Sequence, residues 1–309
     1  MKSRTAAAAD RFSIASWNVW FDPLGQQQRY SAILSACRAL SPDIICFQEV
    51  TPSFVSMLDA ASDIRDDYSL SDHELDRYPY GNMMLAKKGI DISFQFIPLP
   101  SEMGRKMLLA EATWTDGTRI GVGNVHLESL SSRPVREQQL QVCERVLRDY
   151  DMSILCGDFN FCSYRNYIET DNEGLGLEND VLRRIMPDYN DMWPQVHPTE
   201  QGYTFDTVEN GMLRLHRHER MRYDRICYRG VAEGDRSMKS SWAAHSIDLL
   251  GTSPVSSDVS TIAPASAAPS DFSTPPKVSR SVLVQPADAR EPVRLFPSDH
   301  FGLFGVFTC

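Results

Sequence analysis

The apolar positions change period twice within the first fifty residues. Phe12 to Trp20 alternates loosely among strand-forming residues and predicts a strand, whereas Tyr30, Ile33, Leu34 and Cys37 recur at i, i+3, i+4, i+7, the spacing of one helical face. That helix has to stop before Pro42. Asp43 to Val50 follows as a short apolar strand running into Gln48-Glu49, and a helix is predicted from Pro52 to Ala61, with proline tolerated in its first turn. Asn82 to Lys87, Ile92 to Pro98, Met107 to Trp114 and Thr118 to Leu127 read as successive strands, with Asp116-Gly117 as a tight turn between the last two. Pro134 opens a further helix, whose expected buried face carries Val135, Val142, Val146 and Leu147. Ser153 to Cys156 then returns as a buried strand into Gly157-Asp158. Later strands are predicted at Arg222 to Tyr228 and Phe301 to Phe307.

Strands that come in runs between helices predict mixed sheets with helices on their outer faces. Two such sheets packed together give an α/β four-layer sandwich. Residues 11–309 are expected to form one catalytic domain after a short tail of residues 1–10. A low-complexity insert at 251–293 interrupts it, rich in Ser, Pro and Ala and too poor in large apolar groups to order itself. No apolar stretch is long enough to span a bilayer, and Met1 to Asp10 lacks the apolar region of a signal peptide, so an intracellular, monomeric protein with no membrane partner is expected. The seven cysteines contain no Cys-x-x-Cys, and most sit inside apolar runs, which predicts unpaired thiols. The net charge of −10 excludes a protein that coats nucleic acid by bulk attraction, though not an enzyme that grips a few phosphates. Arg214 to Arg229 is locally basic, and is either a solvated edge or a phosphate-facing patch.

Five scattered segments place polar groups at the ends of apolar runs: Ser16-Trp17-Asn18, Phe47-Gln48-Glu49-Val50, Asn124 to Glu128, Gly157-Asp158-Phe159-Asn160 and Ser298-Asp299-His300. Together they hold what phosphodiester hydrolysis needs: oxygen ligands for a hard cation, a group to activate water, and donors to charge growing on phosphoryl oxygens. Glu49 suits Mg²⁺, which takes one or two carboxylates and keeps several waters. Asp158 and Asn160 on one turn could orient and deprotonate water. His300 could serve the leaving oxygen or the transition state, Asp224 could hold its tautomer, and His126 could donate to phosphate. Each alone has an ordinary alternative: an exposed strand-end acid, a common turn, a surface or capped histidine, an Asp paired with a neighbouring arginine.

In combination these residues resemble the endonuclease/exonuclease/phosphatase superfamily, the fold of DNase I and exonuclease III. The words Ser41-Pro42-Asp43-Ile44, His126-Leu127-Glu128-Ser129, Tyr203-Thr204-Phe205-Asp206-Thr207, Arg222 to Ile226, Asp248-Leu249-Leu250-Gly251 and Phe296 to Leu303 are similar to its tyrosyl-DNA phosphodiesterase 2-like branch. The resemblance implies cleavage of the bond between a trapped topoisomerase II tyrosine and a DNA 5′ end. The expected partner is therefore a single-stranded DNA 5′ end carrying a phosphotyrosyl adduct, with a topoisomerase II-derived peptide as leaving group, and a nuclear location follows from that activity. Glu49 would bind Mg²⁺, with Mn²⁺ as a possible substitute, and Asn18 and Asp299 would lie close by. Asp158, supported by Asn160, would move the proton; His300, oriented by Asp224, would stabilise the transition state; His126 and Ser129 would touch phosphate. Tyr80, Phe205 and Tyr223 would line the terminal nucleotides, although core packing or a turn is the plainer role for each.

The chain departs from that pattern at several positions. Trp20 stands where the branch usually has an Asp, with Asp22 two further on. Cys162 stands in place of an Arg that contacts DNA, for which Arg165 is the substitute expected to reach the same phosphate. Phe205 replaces a Trp, and Arg133 is the nearest arginine to one expected at Ser131. Only about ten residues precede the first strand, so the branch's N-terminal ubiquitin-binding domain is not expected. Two other readings remain open on sequence: a nuclease or phosphatase acting on abasic DNA, RNA or a lipid or inositol phosphate, and a catalytically weak nucleic-acid-binding scaffold.

Overall fold

The computed structural model describes residues 11–73, 75, 79–114, 117–166, 176–212, 218–230, 242–255 and 294–309. In chain order its elements are β1 (Arg11–Asn18), α1 (Gln26–Leu40), β2 (Ile44–Val50), α2 (Pro52–Ala60), α3 (Ser62–Asp67), β3 (Tyr68–Leu70), β4 (Gly81–Lys87), β5 (Asp91–Pro98), β6 (Lys106–Thr113) and β7 (Arg119–His126). They continue with α4 (Arg133–Leu147), β8 (Met152–Asp158), α5 (Asn179–Ile185), β9 (Asn190–Asp191), α6 (Met192–Val196), β10 (Phe205–Asp206), β11 (Arg220–Met221), β12 (Asp224–Arg229), β13 (Ala243–Leu250) and β14 (Gly302–Thr308).

One six-stranded sheet runs β13-β14-β1-β2-β4-β3 and the other β5-β6-β7-β8-β12-β9, both mixed. Their facing sides share a core that includes Phe12, Ile14, Ile44, Met84, Leu108, Val122, Ile154, Ile226 and Phe307. The outer face of the first sheet packs on α1, α2 and α3 through Tyr30, Ile33, Phe54, Leu58 and Ile64. The outer face of the second packs on α4 and α5 through Leu140, Cys143, Leu147 and Leu182. Four layers result, as the run of strands and helices predicts.

Differences from the sequence reading are local. On α4 the buried face is Arg136, Gln139, Leu140, Cys143 and Leu147, while Val135, Val142 and Val146 are only half-buried. Two polar residues can occupy that face because each is satisfied there: Arg136 donates to both carboxylate oxygens of Glu178, and Gln139 accepts the Glu128 N–H at 2.9 Å. The strand β13 was not expected; its exposure alternates along an edge position with little apolar signal. The predicted turn residue Asp116 and the 1–10 tail lie outside the described residues, as does the insert from residue 256 onward. All seven cysteines are free, six of them buried. Among the described residues no helix is long and apolar enough to cross a membrane.

The described part of the basic segment divides: Arg220 is exposed and pairs with Asp206, as a solvated edge would, whereas the arginines after it turn inward. Arg214, His216 and Arg217 lie outside the described residues, but Arg222 and Arg225 are buried, at 2% and 0% exposure. Arg222 makes a bidentate pair with Asp191, and Arg225 donates to the Phe161 carbonyl at 2.8 Å and to Asn179. Arg229 donates to the carbonyls of Arg148 and Tyr150, both at 2.8 Å. These arginines tie loops and helices to β12 and present no charge to a substrate.

Candidate active site

Strand register assembles the site. His126 ends β7 opposite Asp158 at the end of β8, and Asp158 in turn stands opposite Asp224 at the start of β12. Residues paired across a sheet share a face, so the three side chains project together. In the other sheet Asn18 ends β1 opposite Gln48 of β2, and Glu49 follows. The two sheet ends are stitched by buried amides: Gln48 donates to Asn124 Oδ1 at 2.7 Å, and Asn124 donates to the carbonyls of Phe47 and Met83 at 3.0 and 3.1 Å. Buried polar groups that satisfy each other fix one arrangement of the sheets.

Backbone detail aims the side chains. Between Phe47 and Val50 the β2–β4 register shifts, and Glu49 has φ 58°. A bulge with a non-glycine residue in the left-handed region costs roughly 1–3 kcal/mol and re-aims a side chain beside a site. At Gly157 (φ 127°) a Cβ would lie 2.0 Å from the Val125 carbonyl oxygen, so the close β7–β8 approach that carries His126 and Asp158 requires glycine.

Asp158 Oδ2 is the centre. It accepts from Asn18 Nδ2 at 3.1 Å and lies 3.6 Å from His126 Nε2 and 3.9 Å from His300 Nε2. Its Oδ1 accepts the backbone N–H of Asn160 at 2.8 Å. The support from Asn160 is thus through its backbone, because the Asn160 side-chain amide is engaged with the Leu127 carbonyl at 2.9 Å. Asn18 is held by the Trp20 N–H, which its Oδ1 accepts at 3.0 Å. Burial resists ionisation of Asp158, but His300, His126 and these hydrogen bonds outweigh it and keep the carboxyl below its ordinary value.

His300 Nδ1 and Asp224 Oδ2 are 2.7 Å apart. Burial would push the imidazole down, yet Asp224, Asp299 and Asp158 together raise it well above its usual value, so it carries a proton at neutral pH. His126 goes the other way: burial and the Arg105 guanidinium hold it well below its ordinary value. Its Nδ1 lies 3.0 Å from Arg105 Nη1, which can only donate, so the neutral ring carries its proton on Nε2, toward Asp158 and Glu49.

Arg105 escaped the sequence reading. It also donates to Ser129 Oγ at 3.0 Å and stands 5.5 Å over the Tyr80 ring, so one buried guanidinium positions three expected site residues. The short Met103-Gly104-Arg105 loop between β5 and β6 carries no pattern that marks it as functional; Gly104 at φ 73° is its one turn signal. Thr204 was missed too, although its Oγ1 accepts the N–H groups of Tyr223 and Asp224 at 3.1 and 3.0 Å.

Glu49, which is buried, and Asp299, which is half-buried, are carboxyls on the Asn18 side. Glu49 accepts the Phe21 N–H at 3.0 Å, and burial, with Asp299 adding to it, pushes its carboxyl up to about 7. Burial raises Asp299 to about 6, against the pull of His300 and Arg29. Two oxygen-donor groups whose carboxyls stay raised despite these partners fit a hard cation. Asp158, Asp224 and His300 form a further group able to hold a metal, their ligand atoms within 4.8 Å of one another. There, however, His300 Nδ1 is already taken up by Asp224.

Aromatic rings flank the centre. Phe205 and Tyr223 lie 5.3 and 6.2 Å from the His300 ring, and Tyr80 lies 6.1 Å from that of His126. All three are half-buried and not in the hydrophobic core. Ser129 is half-buried beside Arg105. Arg165 is exposed and donates to the Arg220 carbonyl at 2.9 Å, while Cys162 is buried and accepts the Arg222 N–H. Arg133 donates to the Gly176 carbonyl at 3.0 Å. Trp20 is 7% exposed and packs with Met212, Leu295, Phe296 and Phe301, with the Arg29 guanidinium 4.7 Å from its ring; the departure there is a core residue.

A model of the Endonuclease/Exonuclease/phosphatase family matches residues 15–300, and the chain belongs to that family. Within it, tyrosyl-DNA phosphodiesterase 2 of Xenopus laevis is 29% identical over 232 residues, covering 73% of this chain and 58% of the relative. The Homo sapiens protein of that name is 28% identical over 247 residues, covering 78% and 62%. The chain therefore spans about three fifths of the length of these curated relatives. The crystal structure of Danio rerio TDP2 complexed with single strand DNA product matches at TM-score 0.69 and 23% identity, over 97% of this chain and 99% of that one. Caenorhabditis elegans TDP2 matches at 0.69 and 20%, over 97% and 75%. These two structures share the fold described above.

Proposed function

We propose that the protein is a Mg²⁺-dependent phosphodiesterase that cleaves the bond between a tyrosine and a DNA 5′-phosphate, the work of DNA repair in a nucleus. The observation that carries this reading is the convergence on one point of a low-pKa carboxylate, a protonated imidazole and a neutral imidazole N–H: Asp158, His300 and His126. Similarity to tyrosyl-DNA phosphodiesterase 2 supports the substrate.

Glu49 and Asp299 would hold Mg²⁺, which supplies a positive charge to a non-bridging phosphate oxygen; Mn²⁺ would serve in its place. Asp158, fixed by Asn18 and Asn160, accepts a proton from water as the water oxygen forms its bond to phosphorus. The bond from phosphorus to the tyrosyl oxygen breaks, the phenolate departs with its electron pair, and the DNA keeps a 5′-phosphate. Protonated His300, oriented by Asp224, and the His126 Nε2–H donate to the oxygens on which charge grows. Ser129 adds a hydroxyl on the phosphate side, and Arg165 reaches a neighbouring phosphate. A phenol ionises near pH 10, far below an alcohol, so the leaving group makes little demand for a general acid.

Phe205 and Tyr223 hold the single-stranded 5′ end by stacking, which needs no sequence readout, and Tyr80 lines the same end by its ring edge. The test is a side-by-side rate panel with Mg²⁺: a 5′-phosphotyrosyl oligonucleotide, an abasic-site duplex and an inositol phosphate. Turnover of the first is expected. Preference for either of the others, with the first untouched, would assign the site to another phosphoester.

A further inference from the structure

Phe21 is 40% exposed, yet it is not a loose surface side chain. Its ring lies parallel to that of Tyr80, with centroids 4.8 Å apart and an interplanar angle of 3°, and Tyr80 in turn stacks on His126 at 6.1 Å. Its backbone N–H donates to Glu49 Oε2, which fixes the start of this row to the carboxylate of the site. Scattered exposed apolar residues are normal on protein surfaces. A ring held parallel to Tyr80 at the end of a row that begins at the His126 imidazole is another matter. One face is spent on Tyr80, so the exposure belongs to the other face and the edges.

We propose that Phe21 is the outer platform of a stacking subsite that takes a planar aromatic group of the substrate and thereby sets its preference. The inference rests on the phosphodiesterase reading of the neighbouring site. Two parts of such a substrate carry a planar ring, the terminal nucleobase and the leaving tyrosyl group, and both would be recognised by the same chemistry. Arg105, 5.5 Å over the Tyr80 ring, stiffens the stack from its inner end.

The experiment has a binding arm and a kinetic arm, each run on wild type, Phe21→Ala, Phe21→Leu and Phe21→Tyr. For binding, a single-stranded oligonucleotide with a 5′-phosphate and 2-aminopurine as its terminal base is titrated, and the stacking quench is read without turnover. For kinetics, kcat and KM are measured on oligonucleotides with the terminal base present or removed, and with an aryl or an alkyl leaving group. Losing one aromatic platform weakens a stacked base roughly tenfold. We expect KM to rise about tenfold in Phe21→Ala and Phe21→Leu for the substrates that carry the recognised ring, beyond any change on those that lack it. Phe21→Tyr should restore wild-type values.

A loss confined to base-bearing substrates assigns the platform to the nucleobase. A loss confined to aryl esters, with no quench, assigns it to the tyrosyl ring. Equal losses on all four substrates, or none, with no quench in wild type, would overturn the proposal. Failure of the wild type on every phosphotyrosyl substrate would sink the proposed function instead, and a quench that depends on Phe21 would then still uphold the platform.

Discussion

Strand β12 separates two buried clusters of charge that differ in one respect. On one side Arg222 and Arg225 meet Asp191 and Asn179, and the Asp191 carboxyl lies below its ordinary value because Arg222 outweighs the cost of burial. On the other, Asp224, which lies between those two arginines in the sequence, joins Glu49, Asp158 and Asp299 around two histidines. Three of those four carboxyls are raised, in each case chiefly by burial. Both sides are largely buried, and they differ in compensation. A balanced cluster holds the chain together, whereas an acid-rich one held by strand register and a bulge carries the cost of its own charge, which a cation would offset.

The largest effect should separate the clusters by function. Asp158→Asn keeps shape and removes the proposed proton acceptor, and kcat/KM is expected to fall about 10²- to 10⁴-fold. Urea denaturation of the same variant should show that it still folds cooperatively. Loss of both together would mean that Asp158 is structural.

Arg222→Ala is the mirror image. Removing one partner of a buried pair costs about 3–5 kcal/mol, read as a lowered urea midpoint, while kcat per folded molecule should hold. A variant of unchanged stability would show that the arginine cluster does not fasten β12.

The smallest effect is on the acid limb. A lowered carboxyl contributes stability that is full above the ordinary Asp value of 3.8 and is lost as pH falls through the lower folded value. Asp191→Asn should therefore flatten the fall in stability below that pH. An acid limb identical to wild type would remove Asp191 from it.

The sequence made this contrast only half visible. Asn18, Glu49, Asp158, Asp224, Asp299 and His300 stand at strand ends, where a polar residue interrupting an apolar run is conspicuous, and register brings them to one place. Nothing in a linear pattern shows that Arg222 and Arg225 are buried, because their compensation comes from Asp191, Asn179 and the Phe161 carbonyl, each more than thirty residues away. Arg105 and Phe21 were hidden for the same reason: each acts through a neighbour, His126 or Tyr80, reached only across the fold. The helix face of α4 was misread because its buried polar residues find partners that a period of apolar residues cannot report.

Metal binding tests the contrast between the two clusters most directly. In a calorimetric titration of Mg²⁺ into EDTA-treated protein, wild type should show saturable binding that is lost in Glu49→Gln and kept in Asp191→Asn. Absence of binding in wild type, or a Glu49→Gln protein that binds as tightly, would contradict the reading of the acidic cluster as a cation site.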